Sequence, residues 1–488
     1  MQKIVLKVAA FVIAAAFIVG AAAALTACGD EEPPETGKSL SEVILSAQPE
    51  VRGYEWGPGV PKLTIEFSGS VGGADVSTFT VKAGGTTRTV TKAYASDASG
   101  MEVSGDSEYL TLEMETRYNE ASPFTYDMET QQNDWSESIS YSVSLASGKS
   151  VTVGGETVSS GSKSFTFTRE DMRSPDTDVF EKDIFSYDEI ELTRAYFAPD
   201  GAADDGAKDP LVIWLHGMGE GGTDVEIALL GNEVTALARD EIQSYFTSED
   251  CAGAYVLAIQ TPTMWMDADG AGSMNSEVTG EPQTSYYTDA LFAAITDYVQ
   301  NNPDVDTDRI YLGGCSNGGY MTMNMMFEHG DYFAAYYPIC EAYMNGNISD
   351  EMIDSISEYD IWFVHSEDDT TVDPLTTSIP TYYRLLEAGA ENIRLTLTDH
   401  VRGTDDPDPA WSWGAAEGCY MGHWVWIYLF NDEVNTYFDN AEAAADLPNV
   451  TISGGSVTST DNYLTSANCT EEGNIWEWMA SISKTSAA

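Results

Sequence analysis

The sequence predicts a mostly parallel, doubly wound α/β sheet preceded by an all-β sandwich of immunoglobulin-like type. Short alternating strand signals separated by Gly, Ser and Asp occupy residues 41–170, whereas strand signals alternate with helical stretches over residues 176–488. A third observation is that residues 309–327 predict a strand, a tight turn around Ser316 and a buried helix. We therefore expect two folded domains with these boundaries.

The first 40 residues predict export and a lipid anchor. Two lysines precede an apolar run over residues 8–25, and the run ends in the tetrapeptide LTAC, which resembles a bacterial lipobox. We expect residues 1–27 to be a lipoprotein signal peptide and Cys28 to be acylated, so that the protein is extracytoplasmic and membrane-anchored. A secretory signal and an uncleaved membrane helix are the alternatives. Residues 28–40 are acidic and contain prolines, which favours a disordered tether.

Charge and cysteine content exclude several classes of function. The chain has 488 residues, of which 22 are basic and 79 acidic, and its formal net charge is −57. Such a surface repels phosphates and anionic lipids, so we expect no nucleic-acid partner and a membrane link through the lipid alone. The six cysteines form no CxxC pair or Cys/His cluster, which argues against zinc.

We expect no cofactor and no metal. Two acidic groups are considered as calcium sites: Asp267 with Asp269, and Asp405, Asp406 and Asp408. Neither fits an EF-hand loop, so neither is expected to bind calcium.

The predicted front domain consists of short β-rich runs without helical periodicity. The strand signals lie at residues 62–67, 77–84, 86–95, 109–115, 138–146 and 163–168. Runs of this length and spacing are typical of an antiparallel sandwich. The domain is interpreted either as a wall over the active site or as a stalk without contact to substrate.

Residues 314–318, GCSNG, fit the G-x-S-x-G pattern of a nucleophile elbow. Small residues two before and two after the serine permit a strained turn that presents its hydroxyl. An apolar strand signal precedes the turn and a buried helix face follows it, as the elbow requires. We interpret Ser316 as a nucleophile; the alternative is an ordinary strand-to-helix turn with a capping serine.

An elbow serine needs a base and an acid that orients the base. Asp368 and Asp369 follow a predicted buried strand, and Asp369 is preferred because its D-x-x-V spacing matches α/β-hydrolases. Among the five histidines, His423 is preferred as the base because it lies in a glycine-flanked loop before an aromatic-rich helix. His400, at a strand end, is the alternative. His216 is interpreted as a structural, hydrogen-bonding residue, and His329 and His365 as structural or solvated. The order Ser316, Asp369, His423 is that of α/β-hydrolases.

The motif HGMGEGG at residues 216–222 supplies the expected oxyanion hole. Glycines let backbone N–H groups approach an oxyanion closely, so we expect donors from Asn317 and from Met218 or Gly219. Trp265, at the end of another predicted strand, is expected to wall the substrate pocket, with ordinary packing as the alternative.

From about residue 180 the chain resembles bacterial esterases related to polyhydroxybutyrate depolymerases and prolyl-oligopeptidase-type hydrolases. The motifs that carry the resemblance are PLVIWLHGMGEGG, NPDVDTDRIYLGGCSNGGY, the strand-D-D-x-x-V segment and GHW, and residues 54–67 are similar to the immunoglobulin-like domain found in a subset of these esterases. The resemblance implies that Ser316, Asp369 and His423 hydrolyse carboxylic esters through an acyl-enzyme. Its substrate would be a small-molecule, polyester or polysaccharide ester. A prolyl-oligopeptidase-like peptidase and a non-catalytic surface binding lipoprotein are the alternatives.

The chain departs from the family at two places. No long insertion lies between Cys340 and Asp360, so the usual cap domain is missing, and an acidic segment at residues 431–474 precedes a predicted final helix at 475–483. We expect this segment or the front domain to cover the cleft. A disulfide between Cys315 and Cys340 is also predicted, because the two follow neighbouring strands. The oligomeric state and the natural ester stay open.

Overall fold

The computed structural model describes residues 37–118, 120, 122–202, 206–404, 416–459 and 463–484. The predicted signal peptide, Cys28 and the acidic group at 405–408 lie outside the described residues. From Lys38 onward the chain packs as one compact unit. Among the described residues, no helix combines the length and the apolar character needed to cross a membrane.

The described part of the front domain is built from strands, with short helices at Leu40–Val43 and Pro175–Asp178 on either side. The strands are β1 (Ile44–Tyr54), β2 (Gly57–Gly72), β3 (Phe79–Ala83), β4 (Thr86–Arg88), β5 (Val90–Ser96), β6 (Ser107–Met114), β7 (Phe124–Asp127), β8 (Gln132–Trp135), β9 (Ile139–Leu145), β10 (Val151–Val153), β11 (Glu156–Val158) and β12 (Ser162–Phe167).

Two of the sheets form the predicted sandwich. One has the order β11-β10-β2-β6-β5, with β1 paired to β2, and the other has the order β12-β9-β3-β4. Strand β3 shows why the sequence folds this way: Phe79, Val81 and Ala83 are buried and alternate with more exposed residues, so one face joins a core shared by both sheets. Strands β7 and β8 form a separate hairpin outside these sheets.

The segment 86–95, predicted as one strand, is two strands in the structure. Strand β4 pairs with β3 in one sheet, whereas β5 pairs with β6 in the other. The chain crosses between the sheets at Thr89, beside the buried Arg88, whose guanidinium donates to the carbonyl of Glu115 over 2.7 Å. Continuous β propensity does not reveal such a crossing, because it is the same on both sides.

The second domain has eight strands in its main sheet and helices on both faces. The strands are β13 (Glu181–Tyr187), β14 (Ile190–Phe197), β15 (Asp209–Leu215), β16 (Tyr255–Gln260), β17 (Val305–Cys315), β18 (Ala335–Ile339), β19 (Asp360–Ser366) and β20 (Ile393–Thr398). The described helices of this domain are Val225–Gly231, Asp240–Gln243, Thr288–Asn301, Asn317–His329, Asp350–Ile356, Ser378–Glu387, Trp426–Phe430, Asn440–Asp446 and Ile475–Ser481.

The sheet order is β13-β14-β16-β15-β17-β18-β19-β20, with β13 and β14 antiparallel to their neighbours and the others parallel. Strands β15 and β16 are buried along their whole length, as expected for parallel strands covered by helices on both faces. The register pairs Leu215 with Gly314, and Cys315 with Ile339, so three strand ends meet at one edge. The predicted fold class is confirmed.

Residues 431–474 form small elements beside the main sheet. These are β21 (Thr436–Tyr437), β22 (Thr451–Ser453), β23 (Ser456–Ser459) and β24 (Glu471–Glu472), together with the helix Asn440–Asp446. The hydroxyl of Tyr382 donates to Asn440 Oδ1 over 2.7 Å, which fixes this helix on the helix Ser378–Glu387. The final helix ends at Ser481, two residues earlier than predicted.

Candidate active site

Ser316 lies in a strained turn between β17 and the helix Asn317–His329. Its φ is +56° and its ψ −112°, an unusual conformation for a residue with a side chain. The flanking glycines are required by close approach of the neighbouring strand: a Cβ on Gly314 or Gly318 would lie 2.4 or 2.0 Å from the carbonyl oxygen of Leu215. The elbow therefore presents the serine hydroxyl at the strand end.

The structure brings Ser316, His423 and Asp369 into one hydrogen-bonded row. His423 Nε2 lies 2.8 Å from Ser316 Oγ, and His423 Nδ1 lies 2.7 Å from Asp369 Oδ2. In the neutral ring, Nδ1–H donates to the carboxylate and Nε2 accepts from the hydroxyl. This is the geometry in which a histidine can remove the serine proton.

Asp369 is held by four donors. The backbone N–H groups of Thr371 and Val372 donate to Oδ1 over 2.8 and 2.9 Å, which gives the D-x-x-V spacing a physical reason. His423 and His365 both face Oδ2. Burial alone would raise the pKa of Asp369, but the charge of His423 and the two histidine hydrogen bonds outweigh it and hold that pKa well below its usual value.

His400, the alternative base, pairs with the other aspartate. Its Nδ1 lies 2.7 Å from Asp368 Oδ2, and Ser366 donates to Asp368 Oδ1 over 2.6 Å. The structure thus places His400 beside Asp368 and not beside Asp369, the acid preferred from the sequence. It has no hydrogen bond to Ser316 among the described residues.

The loop after β15 lies against the elbow, so that Met218, Gly219, Ser316 and Asn317 line the same cavity. Met218 begins a short 3-10 turn and Asn317 begins a helix, and first-turn N–H groups have no acceptor within their own helix. These N–H groups are therefore available to an oxyanion. The arrangement agrees with the donors proposed from the sequence.

His216 holds this loop in place through hydrogen bonds made by its buried side chain. It is fully buried, its Nε2 accepts from the N–H of Thr261 over 3.1 Å, and its Nδ1 donates to the carbonyl of Gly217. Burial lowers the pKa of His216 to about 4, so the ring stays neutral. The residue is structural, as interpreted from the sequence.

The prediction that Trp265 walls the pocket is wrong. Its side chain is fully buried in the core, where it packs against Tyr287 and His216. Its backbone N–H and that of Met266 donate instead to Asn317 Oδ1, which ties this loop to the elbow. Trp265 lies in the loop five residues beyond the end of β16, and its ring turns into the apolar core behind that loop.

Ser316 opens into a cavity of about 910 Å³ with mostly apolar walls. Its aromatic and thioether residues are Trp56, Tyr118, Phe124, Tyr126, Trp424, Trp426, Met128, Met218, Met266, Met274, Met344 and Met421. Its acidic residues are Glu55, Glu220 and Asp373, and no lysine or arginine is among the described lining residues. A site of this size and character fits a bulky ligand without negative charge.

The front domain supplies one side of this cavity. The β7–β8 hairpin is docked by three side chains: Gln132 donates to the carbonyl of Thr263 over 2.7 Å, Asn133 to Glu220 over 3.2 Å, and Trp135 to Asp224 over 2.9 Å. The turn between β1 and β2 contributes Glu55 and Trp56. Of the two sequence interpretations, the structure shows the wall and not the stalk, and no described residue of 431–474 lines the cavity.

Glu220, in the oxyanion loop, was missed by the sequence analysis. It is buried beside Gly217 and Gly231, where any Cβ would collide with its side chain. Burial raises the pKa of Glu220 to about 7, against the lowering influence of Asn133 and His423. The signal that could have found it is an acid inside a glycine-rich loop.

The predicted disulfide between Cys315 and Cys340 is also wrong. Both are free, buried thiols, as are Cys251, Cys419 and Cys469. Cys315 Sγ lies 3.6 Å from Asn232 Oδ1, whereas Cys340 Sγ lies within 4.8 Å of ligand atoms of Asp369 and His423. The two thiols are close enough to interact electrostatically, but they are not bonded to each other.

The calcium candidate at Asp267 is occupied by protein donors. Its carboxylate accepts from the N–H groups of Asp269, Gly270 and Gly272 and from the hydroxyl of Thr263. Asp267 thus organises its own loop, and a cation would have to displace these four bonds.

Two family models match the chain. The esterase Ig-like N-terminal domain matches residues 50–159, and the prolyl oligopeptidase family matches residues 275–377. A solved structure described as a thermostable esterase is 23% identical, with 80% of this chain and 96% of that chain covered and a TM-score of 0.61. No curated protein matches this chain.

Two further solved structures are more distant. An acylaminoacyl peptidase from Pyrococcus horikoshii is 15% identical, with 58% and 46% of the two chains covered and a TM-score of 0.32. A ferulic acid esterase is 15% identical, with 45% and 89% covered and a TM-score of 0.33.

Proposed function

This chain is a serine hydrolase that joins an esterase-type immunoglobulin-like domain to a region matching the prolyl oligopeptidase family, and we propose that it hydrolyses carboxylic esters. The observation that carries the proposal is the apolar cavity into which Ser316 opens. A buried peptide brings an N–H and a carbonyl at every residue, and each needs a polar partner. Aromatic and thioether walls offer few such partners, but they suit the hydrocarbon parts of an ester.

The proposed reaction passes through an acyl-enzyme. Ser316 Oγ attacks the ester carbonyl carbon while its proton passes to His423 Nε2, and the carbonyl oxygen becomes an oxyanion facing Asn317 and the loop at Met218. The carbon–oxygen bond to the alcohol then breaks, and His423 returns the proton to the leaving alkoxide. A water activated by His423 attacks the acyl-enzyme in the same way, which releases the acid and restores Ser316.

The substrate we propose is a bulky, uncharged small-molecule ester. The cavity contains six aromatic and six methionine side chains, and its charged walls are acidic. An anionic ester would therefore meet repulsion without a cation to offset it. Esters carried on a polyester or polysaccharide stay within this proposal only where a single ester group can enter beneath the β7–β8 hairpin.

A peptidase is the second candidate, favoured by the family match over residues 275–377 and by the buried acid Glu220 in the cavity wall. A carboxylate in such a wall could hold the amino group of an aminoacyl substrate. Amide bonds also require stronger protonation of the leaving group than esters do.

Turnover of matched substrates separates the candidates. The purified protein is assayed on p-nitrophenyl acetate, butyrate and decanoate and on alanyl p-nitroanilide, beside Ser316→Ala and the control Ser355→Ala, whose serine lies in an exposed helical position. We expect ester turnover that Ser316→Ala abolishes and Ser355→Ala leaves unchanged. Preference for the anilide would replace the proposal by the peptidase, and inertness on all four would favour a binding protein.

We further propose that the protein is a membrane-anchored lipoprotein outside the cytoplasm, acylated on Cys28. The proposal is supported by the apolar run at residues 8–25 and the lipobox-like tetrapeptide that follows. Growth of an expressing bacterium on an alkyne fatty acid should label the wild-type protein and not Cys28→Ala. Equal labelling of the two would overturn the anchor.

A further inference from the structure

His365 lies behind the acid of the site, at the end of β19, and is fully buried. Its Nε2 is 3.0 Å from the carbonyl oxygen of Val372 and 3.2 Å from Asp369 Oδ2. Both oxygens are acceptors when Asp369 is ionised, so the ring hydrogen lies on Nε2 and is shared between them. His365 does not line the cavity, and the reaction described above does not use it.

The other ring nitrogen of His365 identifies a second partner. Nδ1 lies 2.7 Å from the hydroxyl of Ser378, the first residue of the helix Ser378–Glu387 and itself fully buried. With the hydrogen on Nε2, Nδ1 of the neutral ring can only accept, so Ser378 donates to it. The serine thus selects the tautomer that presents a donor to Asp369.

Glu341 lies next in this row, just after β18. Its Oε2 accepts from the N–H of Tyr343 over 2.7 Å, whereas its Oε1 is buried without a hydrogen-bond partner among the described residues. Burial raises the pKa of Glu341 to about 8, although Tyr343 and the nearby Ser378 oppose the rise. Glu341 is therefore neutral at pH 7 and places no second negative charge beside His365.

The charged groups around His365 are few. Asp369 comes from its own loop, Glu341 from the end of β18, and His423 lies beyond Asp369. Among the described residues, no lysine or arginine forms an ion pair with any of these side chains. The negative charge of Asp369 is thus offset by four hydrogen bonds, one of them from His365, and by the positive charge of His423 when that ring is protonated. The other titratable groups near the His423 ring are the Cys340 thiol and Glu220.

From this geometry we propose that His365 is a positioning residue, which orients the carboxylate of Asp369 towards His423 and whose tautomer is fixed by Ser378. The inference rests on the proposed function only in taking Ser316 as the nucleophile, and it does not depend on whether the substrate is an ester or an amide.

Loss of the Nε2–H donor has a defined electrostatic consequence. With one donor fewer, the carboxylate of Asp369 interacts more strongly with a protonated imidazole at His423. Serine attack requires the neutral ring, so the acid limb of the pH profile for attack by Ser316 moves to higher pH. A side chain that merely filled space behind Asp369 would leave the position of that limb unchanged.

The test uses a fluorophosphonate, which reports serine attack whether the substrate of the enzyme is an ester or an amide. Ser316 Oγ bonds to phosphorus, the phosphorus–fluorine bond breaks with release of fluoride, and the serine proton passes to His423. The second-order labelling rate is measured from pH 5 to 9 by intact mass for the wild type, His365→Gln, His365→Phe and Ser378→Ala. Gln places an amide N–H near the original Nε2, whereas Phe fills the volume without a donor.

We expect His365→Phe to slow labelling about tenfold and to move the acid limb up by about half a pH unit. His365→Gln should stay within about threefold of the wild type with its limb unmoved, and Ser378→Ala should fall between the two. The matched control is His329→Phe, because His329 stacks on Phe292 with ring centroids 3.7 Å apart and has no contact with the site.

Each outcome decides one question. An unmoved limb in His365→Phe, with all protein eventually labelled, would overturn the positioning role. If His365→Phe does not fold, a wild-type rate and limb in Ser378→Ala would overturn the tautomer assignment instead. A wild-type protein that no fluorophosphonate labels would contradict the assignment of Ser316 itself, and with it the proposed function.

Discussion

Two adjacent aspartates each hold a histidine, and the two pairs differ in almost everything except the distance between their partners. Asp369 Oδ2 and Asp368 Oδ2 both lie 2.7 Å from the Nδ1 of a histidine, His423 and His400 respectively. The side chains of the first pair are 0% and 8% exposed, those of the second 26% and 36%. Hydrogen-bond length alone therefore does not identify a catalytic pair.

The surroundings of the pairs explain the difference. The free nitrogen of His423 faces Ser316 Oγ, and the carboxylate of Asp369 accepts two backbone N–H groups and a second histidine. The second pair has Ser366 on its carboxylate and no serine on its histidine among the described residues. Burial strengthens each hydrogen bond in the first row and fixes its direction, whereas solvent competes in the second.

Replacing each histidine by alanine should give the largest difference in activity between the two pairs. His423→Ala should lower kcat for a p-nitrophenyl ester about a millionfold, because no other described ring nitrogen hydrogen-bonds Ser316. His400→Ala should stay within about threefold, since a half-exposed pair contributes little. Steady-state kinetics at one pH measures both. Comparable losses of kcat in the two variants would mean that both pairs take part in catalysis.

The aspartates should show the same contrast with a smaller loss. Asp369→Asn should lower kcat about ten-thousandfold, because an amide can donate to His423 Nδ1 and so favours the tautomer that cannot accept from Ser316. Asp368→Asn keeps the size of its side chain and should cost less than about fivefold. KM should change little in either variant, because neither aspartate lines the cavity.

Acid unfolding compares the pairs through stability. The folded-state pKa of Asp369 is held below its unfolded value, so its contribution is present above about pH 4 and is lost as pH falls through the folded pKa. Between pH 5 and pH 2 the free energy of unfolding of the wild type, measured by urea titration, should thus fall by about 2 kcal/mol more than that of Asp369→Asn. Asp368→Asn should follow the wild type, and parallel curves for all three would refute the argument.

The smallest expected effect comes from Glu220, whose charge interacts with His423 of the buried pair. Because burial raises the pKa of Glu220 to about 7, this side chain ionises as pH rises through neutrality, and its charge then opposes the oxyanion. The ratio of kcat/KM for Glu220→Gln to that of the wild type should rise about threefold from pH 6 to 8.5. A constant ratio would show that Glu220 stays neutral or too distant to matter.

Local chemistry made part of the site predictable. The elbow at Ser316, the acid with its D-x-x-V turn and the loop at Met218 each depend on residues within a few positions of one another. The choice between His423 and His400 needed only flanking glycines and aromatics, and the geometry agrees with it. The strands of both domains were predictable for the same reason, since alternating or continuous burial leaves an apolar pattern in each short segment.

Tertiary choices were not predictable. His365 was interpreted as structural or solvated because nothing in a strand-end histidine says that a serine 13 residues later fixes its tautomer. The positions of the Trp265, Cys315 and Cys340 side chains depend on which way each turns in or beside a loop that follows a strand, and the packing of distant elements decides that direction. The β7–β8 hairpin carries no strong strand signal, since its residues are mostly polar and its stability comes from docking.

The separate pairing of β7 with β8 has a consequence for how such a protein can diversify. The edge-to-face contact of Phe124 and Trp135, with ring centroids 4.7 Å apart, closes the base of the hairpin, while Met128 and Gln131 at its tip reach the cavity. Doubling the length of such a tip adds only about 0.6 kcal/mol of loop-closure entropy. Selectivity can therefore drift by insertion and deletion at a single turn, while the reacting groups and both hydrophobic cores are inherited unchanged.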